Sequence, residues 1–374
     1  MKNLILRISV VVMLLTIVMG GGAKTIRLGV MLPLHDDNGD GRRMVEYYRG
    51  VLMACDSLKK SGLSIDVHAW NTPEDCDMKK VLADPAAARC DLIIGPLYSR
   101  QVRALSDFVS EHDIKLLIPF SITAPPLYTN RNIYQVYQNA NDFNNRSISA
   151  FLSQFVDYHP VIIDCNDSTS KKGSFTFGLR RKLEEHGLSY NLTNLKSVEA
   201  DFFKAFSTTK PNVVVLNTGR HQELGVALAK LNGLRTSHPE LNISMFGYTE
   251  WLGYTRLYLD QFYRYNVYIP APFYTNLTAA STIRLQQKYR TNFHSEMIQM
   301  LPRFAMTGFD HAMFFLTGLE NMGKAFNGEN GQSRVQPVQT PLHFERIGNG
   351  GLRNRTLLLV NYQPSQRVEV INKY

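Results

Sequence analysis

The chain has 374 residues, of which 44% are hydrophobic and 20% are charged, and its formal net charge is +9 at pH 7. This length exceeds what one hydrophobic core usually supports, so it predicts a globular protein of two domains or lobes. The Lys and Arg residues are spread along the chain without a basic block or a basic stripe with interleaved aromatics, which excludes nucleic acid as an expected partner.

The first 23 residues have the pattern of a secretory signal peptide. Lys2 and Arg7 accompany an apolar run over residues 8–19, and the small residues GGGA follow it. This order of charged, apolar and small segments predicts cleavage near Ala23. No later run is long and apolar enough to span a bilayer, so we expect an exported, periplasmic protein whose mature chain has no transmembrane segment.

The stretch HDDNGDGRRMVEY, residues 35–47, matches the start of an EF-hand calcium loop. Asp36, Asn38 and Asp40 occupy the positions of alternating oxygen ligands. The twelfth position, which requires a bidentate Glu, is Tyr47, and the preceding run TIRLGVMLPL predicts a strand where an EF-hand needs a helix. We therefore interpret residues 35–43 as a solvated loop between a strand and a helix, and expect no metal site.

From this first strand to about residue 123, strand and helix patterns alternate. The runs TIRLGVMLPL, SIDVHAW, DLIIGPLYS and IKLLIPFSIT predict strands, and the segments between them predict helices. Such a series predicts a parallel sheet with helices on both faces. Ligands of these sheets bind at the carboxyl ends of the strands, where the loops 35–43, 95–100 and 120–128 are expected.

The pattern then repeats, which predicts a second α/β lobe of similar plan. Strands are predicted at PVIIDCND, NVVVLNT, ISMFGYTEW and YNVYIPAPFY, with helices between the first three of them. Two further helices follow at ASTIRLQQKYRTNF and GFDHAMFFLTGLENMGKAF, and the short strands LHFERI, RTLLLVNY and RVEVI close the chain.

Four cysteines are present, at positions 55, 76, 90 and 165, and their spacing fits no zinc motif. In an exported protein each is either a buried apolar residue or half of a disulfide. A bridge between Cys76 and Cys90 is disfavoured, because the helix predicted between them would hold the two residues farther apart than the roughly 7 Å that a disulfide tolerates.

Several phrases resemble the type I periplasmic-binding fold: IRLGVMLPL with YYRGVLMA, DLIIGPLYS, IPFSITAPP, FGYTEW and FAMTGFDHAMFFLTGLENMG. The likeness is to its leucine-binding-like branch, which includes exported LysM-associated proteins of Bacteroidetes and the lipoprotein that activates penicillin-binding proteins. It implies a two-lobed α/β fold with a hinge, each lobe a mostly parallel sheet flanked by helices. Lobe 1 is expected over residues 24–143 plus about 274–330, and lobe 2 over residues 144–273 plus about 331–374.

The resemblance also implies a binding site. In amino-acid-binding members, residues after the third and fourth strands hold the ligand's α-carboxylate and α-amino groups, and here those positions are Ser99, Ser121 and Thr123. Glu250 in the second lobe is placed to receive an ammonium group, and Tyr98 is a candidate for stacking on the ligand. The stacking tyrosine of the second lobe has no counterpart, because the corresponding region reads STSKKGSF.

Each of these residues has a structural alternative. Ser99 is also a typical cap for the helix that follows it, and Ser121 and Thr123 are also typical turn formers before APP. Glu250 is equally a solvated loop acid, and Tyr98 equally packs against a lobe surface.

Together these patterns predict a non-catalytic, exported solute-binding protein that closes its lobes on a small polar ligand, amino-acid-like or a short peptide. Its expected partner is an ABC-type permease, and no cofactor is expected. The alternative is a cell-envelope regulatory protein that acts on a cell-wall synthesis protein or on peptidoglycan. Enzymatic motifs such as G-x-S-x-G and H-E-x-x-H are missing from the sequence. The adjacent Asp310 and His311 are expected to cap or pack in a helix rather than catalyse.

Overall fold

The computed structural model describes residues 25–121, 123–329 and 331–373, so the predicted signal peptide lies outside the described residues. The strands are β1 Ile26–Leu32, β2 Ile65–Asn71, β3 Leu92–Ile94, β4 Lys115–Ile118, β5 Ile133–Gln135, β6 His159–Asp164, β7 Asn191–Asn194, β8 Asn212–Leu216, β9 Ile243–Phe246, β10 Val267–Ala271, β11 Phe344–Arg346, β12 Leu352–Asn354, β13 Leu358–Tyr362 and β14 Val368–Asn372. The helices are α1 Gly39–Lys60, α2 Met78–Leu82, α3 Pro85–Ala88, α4 Ser99–His112, α5 Ala140–Gln154, α6 Gly173–Glu185, α7 Glu199–Phe203, α8 His221–Ser237, α9 Thr255–Arg264, α10 Ala280–Phe293 and α11 Phe304–Met322.

Within the described residues these strands form two seven-stranded sheets, one in each lobe. The first sheet has the order β11-β12-β5-β4-β3-β1-β2, and the second has the order β14-β13-β10-β9-β8-β6-β7. Pairing is parallel from β2 through to β12 in the first sheet and from β7 to β10 in the second. The remaining pairings are antiparallel: β11 with β12 in the first sheet, and β10 with β13 and β13 with β14 in the second. This arrangement confirms the predicted α/β fold of two mostly parallel sheets.

The central strands are buried on both faces because helices cover both sides of each sheet. Strand β8 is buried at all five positions, and β1 is buried at every position except Arg27. On one face of the first sheet, helices α1 and α11 approach each other closely. A Cβ atom at Gly50 would overlap the carbonyl of Ala305, and one at Gly308 would overlap the carbonyl of Tyr47. Glycine is therefore required at both crossing points.

In the part of the chain that the structure describes, three segments connect the lobes: residues 136–139 after β5, residues 272–279 after β10, and residues 355–357 between β12 and β13. The tail of the chain is divided by the last of these. Strands β11 and β12 extend the first sheet, whereas β13 and β14 extend the second. This differs from the sequence-based assignment of the whole of 331–374 to lobe 2, because β12 finds its parallel partner in β5.

The stretch that matches the start of a calcium loop is partly helical. Helix α1 begins at Gly39, inside the predicted loop 35–43, because Asn38 caps it by accepting a hydrogen bond from the Gly41 N–H at 2.8 Å. The Asp40 carboxylate forms an ion pair with Arg43 in the first turn of the same helix. Two of the three calcium-like side chains, those of Asn38 and Asp40, therefore act at the start of a helix.

All four cysteines are free in the structure. Cys55, Cys90 and Cys165 are buried, and their burial raises the pKa of each thiol, to about 11 for Cys55 and about 12 for the other two. Thiols with such pKa values are poor nucleophiles, so these residues act as small apolar core residues.

Candidate functional site

A cavity of about 700 Å³ lies between the two lobes, next to the three connections. Lobe 1, the first two connections and lobe 2 contribute to its lining. Its lining includes Phe120, Phe304, Thr307 and His311 of lobe 1, Phe273 of a connection, and Phe143, Ser147, Lys172, Tyr248 and Glu250 of lobe 2.

Hydrogen bonds close to the cavity join two of the connections and anchor residues 338–340 to helix α11. Gln138 Nε2 donates to the carbonyl of Thr356 at 2.7 Å, which joins the first connection to the third. The Asp310 carboxylate accepts from the backbone N–H groups of residues 338–340 at 2.7 to 2.8 Å. Burial raises the pKa of Asp310 to about 6, although these three donors act in the opposite direction. Asp310, which was expected to cap or pack in a helix, is buried within α11 and anchors a distant segment.

On the lobe 1 side, helix α11 contributes Phe304, Thr307 and His311, which share one face because they are three and seven residues apart. His311 is fully buried, and the Tyr47 hydroxyl lies 2.9 Å from its Nδ1. Burial lowers the pKa of His311 to about 3, so the ring is neutral at physiological pH. Phe120 packs against Phe304 with ring centroids 5.4 Å apart.

On the lobe 2 side, helix α5 contributes Phe143 and Ser147, which are one turn apart and therefore neighbours on the helix surface. Ser147 is buried, and its Oγ has no hydrogen-bond partner among the described residues. These two residues, together with Phe304, Thr307 and His311, form what we call the inner wall of the cavity.

The charged groups of the cavity lie on the lobe 2 side and are paired with each other. Lys172 Nζ is 2.5 Å from Glu250 Oε1 and 4.7 Å from the centre of the Tyr248 ring. Tyr248 is buried and donates from its hydroxyl to the carbonyl of Leu216 at 2.5 Å, and burial raises its pKa well above the usual value. Lys172 lies within the STSKKGSF segment, which corresponds to the region of the family's stacking tyrosine.

The lobe 1 residues predicted from sequence, which we call the rim residues, lie elsewhere. Tyr98, Ser99, Ser121 and Thr123 are not among the residues that line the cavity, whereas Glu250 is. Ser99 is the first residue of α4, and the cap position belongs to Tyr98. The Tyr98 hydroxyl is 3.5 Å from the Asp40 carboxylate.

The rim serines are hydrogen-bonded to each other. Ser99 Oγ and Ser121 Oγ are 2.8 Å apart, and Ser121 Oγ also donates to the Thr123 carbonyl at 3.2 Å. Because a hydroxyl has one proton, the Ser121 proton used in this turn leaves the Ser99 proton to join the two serines. A ligand carboxylate would have to break one of these bonds to gain a donor. The Thr123 side chain is exposed.

Sequence reasoning missed Ser147 as a site residue and assigned His311 to packing. The available signal was weak: each is a polar residue on the apolar face of an amphipathic helix, in SISAF and GFDHAMFF respectively. Only the packing of α5 and α11 on opposite sides of one cavity distinguishes these two positions from other buried polar residues.

Comparison with solved structures shows which fold this is. A candidate branched-chain amino acid ABC transporter of Rhodospirillum rubrum is 15% identical, with a TM-score of 0.59, over 93% of this chain and 100% of that chain. An ABC transporter substrate-binding protein of Sphaerobacter thermophilus is 12% identical, with a TM-score of 0.51, over 94% and 99%. LpoA of Haemophilus influenzae is 15% identical, with a TM-score of 0.57, over 94% of this chain and 59% of that chain.

These similarities, with the two sheets and three connections, show that the chain has the type I periplasmic-binding fold. At 12% to 15% identity they show the fold and leave the ligand open. No family model and no curated protein matches the sequence. None of the helices in the described part of the chain has both the length and the apolar character needed for a membrane span. The likeness to LysM-associated proteins stays a prediction.

Proposed function

We propose that this protein is an exported, non-catalytic solute-binding protein whose two lobes close on a small ligand. The observation that supports this most strongly is the cavity of about 700 Å³ lined from both lobes beside the connections. Its volume is within the range of small-molecule sites. Closure follows from binding, because a ligand that touches both lobes only in the closed form stabilises that form by the difference in contact.

For the ligand itself, an amino acid or short peptide remains the expectation implied by the family resemblance. Such a ligand requires Glu250 to leave Lys172 and accept the ammonium group, and requires the Ser99–Ser121 bond to open for the carboxylate. An ABC-type permease would then read the closed form. The proposal assigns no catalytic role and no cofactor to the chain.

The first experiment is native mass spectrometry of the mature protein, followed by thermal denaturation with any small molecule that is released. A molecule of a few hundred daltons should be released. Its addition should raise the melting temperature, because binding adds RT ln(1 + [L]/Kd) to the free energy of unfolding. Ser149→Ala serves as a control that leaves the response unchanged, because Ser149 is exposed on the same helix as Ser147 and does not line the cavity.

The second candidate function is a cell-envelope interaction protein that binds a cell-wall synthesis protein or peptidoglycan. The observation in its favour is that the groups an amino acid would use are already bonded to one another, Lys172 to Glu250 and Ser99 to Ser121. A protein that carries no small molecule, and whose melting temperature does not respond to amino acids or short peptides, would favour this second function over the first.

A further inference from the structure

Two buried polar atoms without partners belong to residues that line the same cavity from opposite lobes. Ser147 Oγ of lobe 2 and His311 Nε2 of lobe 1 accept and donate no hydrogen bond within the described residues. The two residues are 1% and 0% exposed, respectively. Burial of an unpaired polar atom costs free energy, so two such atoms on residues that line one cavity point to a partner that is shared by the lobes.

Ser147 differs in this respect from the serines beside it on helix α5. Ser149 donates to the carbonyl of Asn145 at 3.1 Å, and Ser153 donates to the carbonyl of Ala150 at 3.0 Å. Such bonds to the preceding turn are the usual way in which a helical serine satisfies its hydroxyl. Ser147 has the same backbone carbonyls within its own turn and makes no such bond, which leaves its hydroxyl free for another molecule.

The protonation of His311 follows from its contact with Tyr47. The Tyr47 hydroxyl is 2.9 Å from His311 Nδ1, and this nitrogen is its hydrogen-bond partner among the described residues. If the hydroxyl donates its proton to Nδ1, the neutral ring carries its own proton on Nε2. The reverse arrangement would leave the buried Tyr47 proton without an acceptor. Nε2 is thus a donor, and it calls for an acceptor oxygen.

The charges of the cavity lining sum to zero. Lys172 and Glu250 are the charged residues that line it, and they form an ion pair with each other. A charged ligand buried against the inner wall would have neutral donors and aromatic rings around it, and such burial of an unpaired charge is strongly unfavourable. An uncharged ligand avoids that cost.

Aromatic side chains line the cavity from both lobes, and two of them belong to the inner wall. Phe120 and Phe304 line the cavity from lobe 1, Phe143 lines it from lobe 2, and Phe273 lines it from a connection. Rings of this kind bury an apolar or aromatic body well and give it little hydrogen bonding. Polar residues of the lining such as Gln138 and Thr307 are already hydrogen-bonded within the protein, whereas Ser147 and His311 supply two polar atoms that are unpaired.

We propose that Ser147 and His311 are the polar anchors of a subsite at the inner wall, which takes an uncharged molecule with an aromatic or branched apolar body and a carbonyl oxygen. The carbonyl accepts from His311 Nε2 and from the Ser147 hydroxyl, and the body lies among the phenylalanine rings. The inference rests on the proposed binding function and names the class of ligand for the same cavity.

The test compares three probes that share one phenyl ring: phenylacetamide, which is uncharged, phenylacetate, which is anionic, and L-phenylalanine, which is zwitterionic. Binding to the mature protein is measured by saturation-transfer NMR with titration. Phenylacetamide should bind most tightly of the three. Ser147→Ala and His311→Leu should each weaken it roughly fivefold, as expected for the loss of one hydrogen bond.

Two matched variants separate these losses from damage to the fold. Ser149→Ala, on the same helix, should bind phenylacetamide as the wild type does. His311→Gln places an amide nitrogen near the position of Nε2 and should recover most of the affinity that His311→Leu loses. Melting curves of all variants establish that each one is folded at the temperature of the measurement.

Two results would overturn the inference. In the first, L-phenylalanine binds most tightly and its affinity depends on Ser99 and Glu250 but not on Ser147 and His311, which keeps the proposed function and removes the inner subsite. In the second, none of the three probes binds. If a small molecule is nevertheless released in native mass spectrometry, the proposed function survives that second result and the proposed class of uncharged ligands does not.

Discussion

The rim residues of lobe 1 and the inner wall of the cavity are opposite in their hydrogen bonding. At the rim, Ser99 and Ser121 share one bond, and in lobe 2 Glu250 is paired with Lys172. At the inner wall, Ser147 and His311 are buried with unpaired polar atoms. A polar residue at a site position implied by the family resemblance can thus be hydrogen-bonded within the protein, while one that the sequence did not single out is unpaired.

The difference also bears on stability. Paired polar groups at the rim contribute to folding, whereas unpaired buried groups at the inner wall oppose it. Residues kept for binding are often destabilising in the free protein, because their partner arrives with the ligand. Mutation and pH test this contrast, with expected changes in the free energy of unfolding that range from several kcal/mol to less than about 1 kcal/mol.

The largest effect is expected where the scaffold of the inner wall is broken. Gly308→Val should lower the free energy of unfolding by about 3 kcal/mol, because the new side chain overlaps the Tyr47 backbone and forces α11 away from α1. Denaturant unfolding measures this change. Gly233→Ala in helix α8, which has no atom within 4 Å of its added Cβ, is the control and should be neutral or stabilising by up to about 1 kcal/mol. Equal losses in the two variants would contradict the close packing of α1 on α11.

A second effect is expected in the dependence of stability on pH. The pKa of His311 is about 3 in the folded state and about 6.5 when unfolded, so the unfolded chain binds more protons between these values. Above pH 6.5 the ring is neutral in both states and does not lower the free energy of unfolding. As the pH falls from 6.5 toward 3, protonation of the unfolded chain lowers that free energy. Between pH 7 and pH 5 we expect a loss of about 2 kcal/mol from this residue.

The pH effect is isolated by comparison with His311→Leu. The neighbouring Asp310, whose pKa is raised to about 6, acts in the opposite sense, since it adds stability as the pH falls from 6 to about 3.8. That contribution is present in both proteins and cancels in the difference. Unfolding at pH 7 and pH 5 should show the variant gaining about 2 kcal/mol relative to the wild type, and parallel profiles would refute the neutral, buried ring.

A third prediction contrasts one serine from each region. Ser147→Ala should raise the free energy of unfolding of the ligand-free protein by roughly 0.5 to 1 kcal/mol, because it removes an unpaired buried hydroxyl. Ser99→Ala should lower it by about 1 kcal/mol, because it removes the bond to Ser121. Denaturant midpoints at constant slope measure both. The contrast between rim and inner wall fails if the two variants change stability in the same direction.

The smallest effect is expected for the ion pair of Lys172 and Glu250. A double-mutant cycle with Lys172→Met and Glu250→Gln should give a coupling below about 1 kcal/mol, because the Glu250 side chain is 49% exposed and water screens the pair. The same variants sharpen the ligand question. If an ammonium group binds at Glu250, Lys172→Met should strengthen the binding of L-phenylalanine, and an unchanged affinity would argue against an amino-acid ligand.

Much of the fold could be predicted from the sequence, because it depends on local patterns. The run TIRLGVMLPL predicted a strand and contains β1, and the helical spacing of FTFGLRRKLEEHGL predicted α6. Strand β7 was not predicted, since Asn191–Asn194 is short, polar and at the edge of its sheet. Strand β12 and the sheet that β11 joins were not predicted either, because a three-residue strand carries little local signal of its own and none for its partner.

The sequence alone determined the two-lobed α/β plan, since burial on both faces of a parallel sheet demands continuous apolar strands and helices between them. It also located chemically capable residues at the strand ends, among them Ser99, Ser121 and Glu250. Only the tertiary structure decided which polar groups are already paired. Hydrogen bonding between Ser99 and Ser121, and the unpaired atoms of Ser147 and His311, depend on contacts between segments far apart in the chain, which no local pattern records.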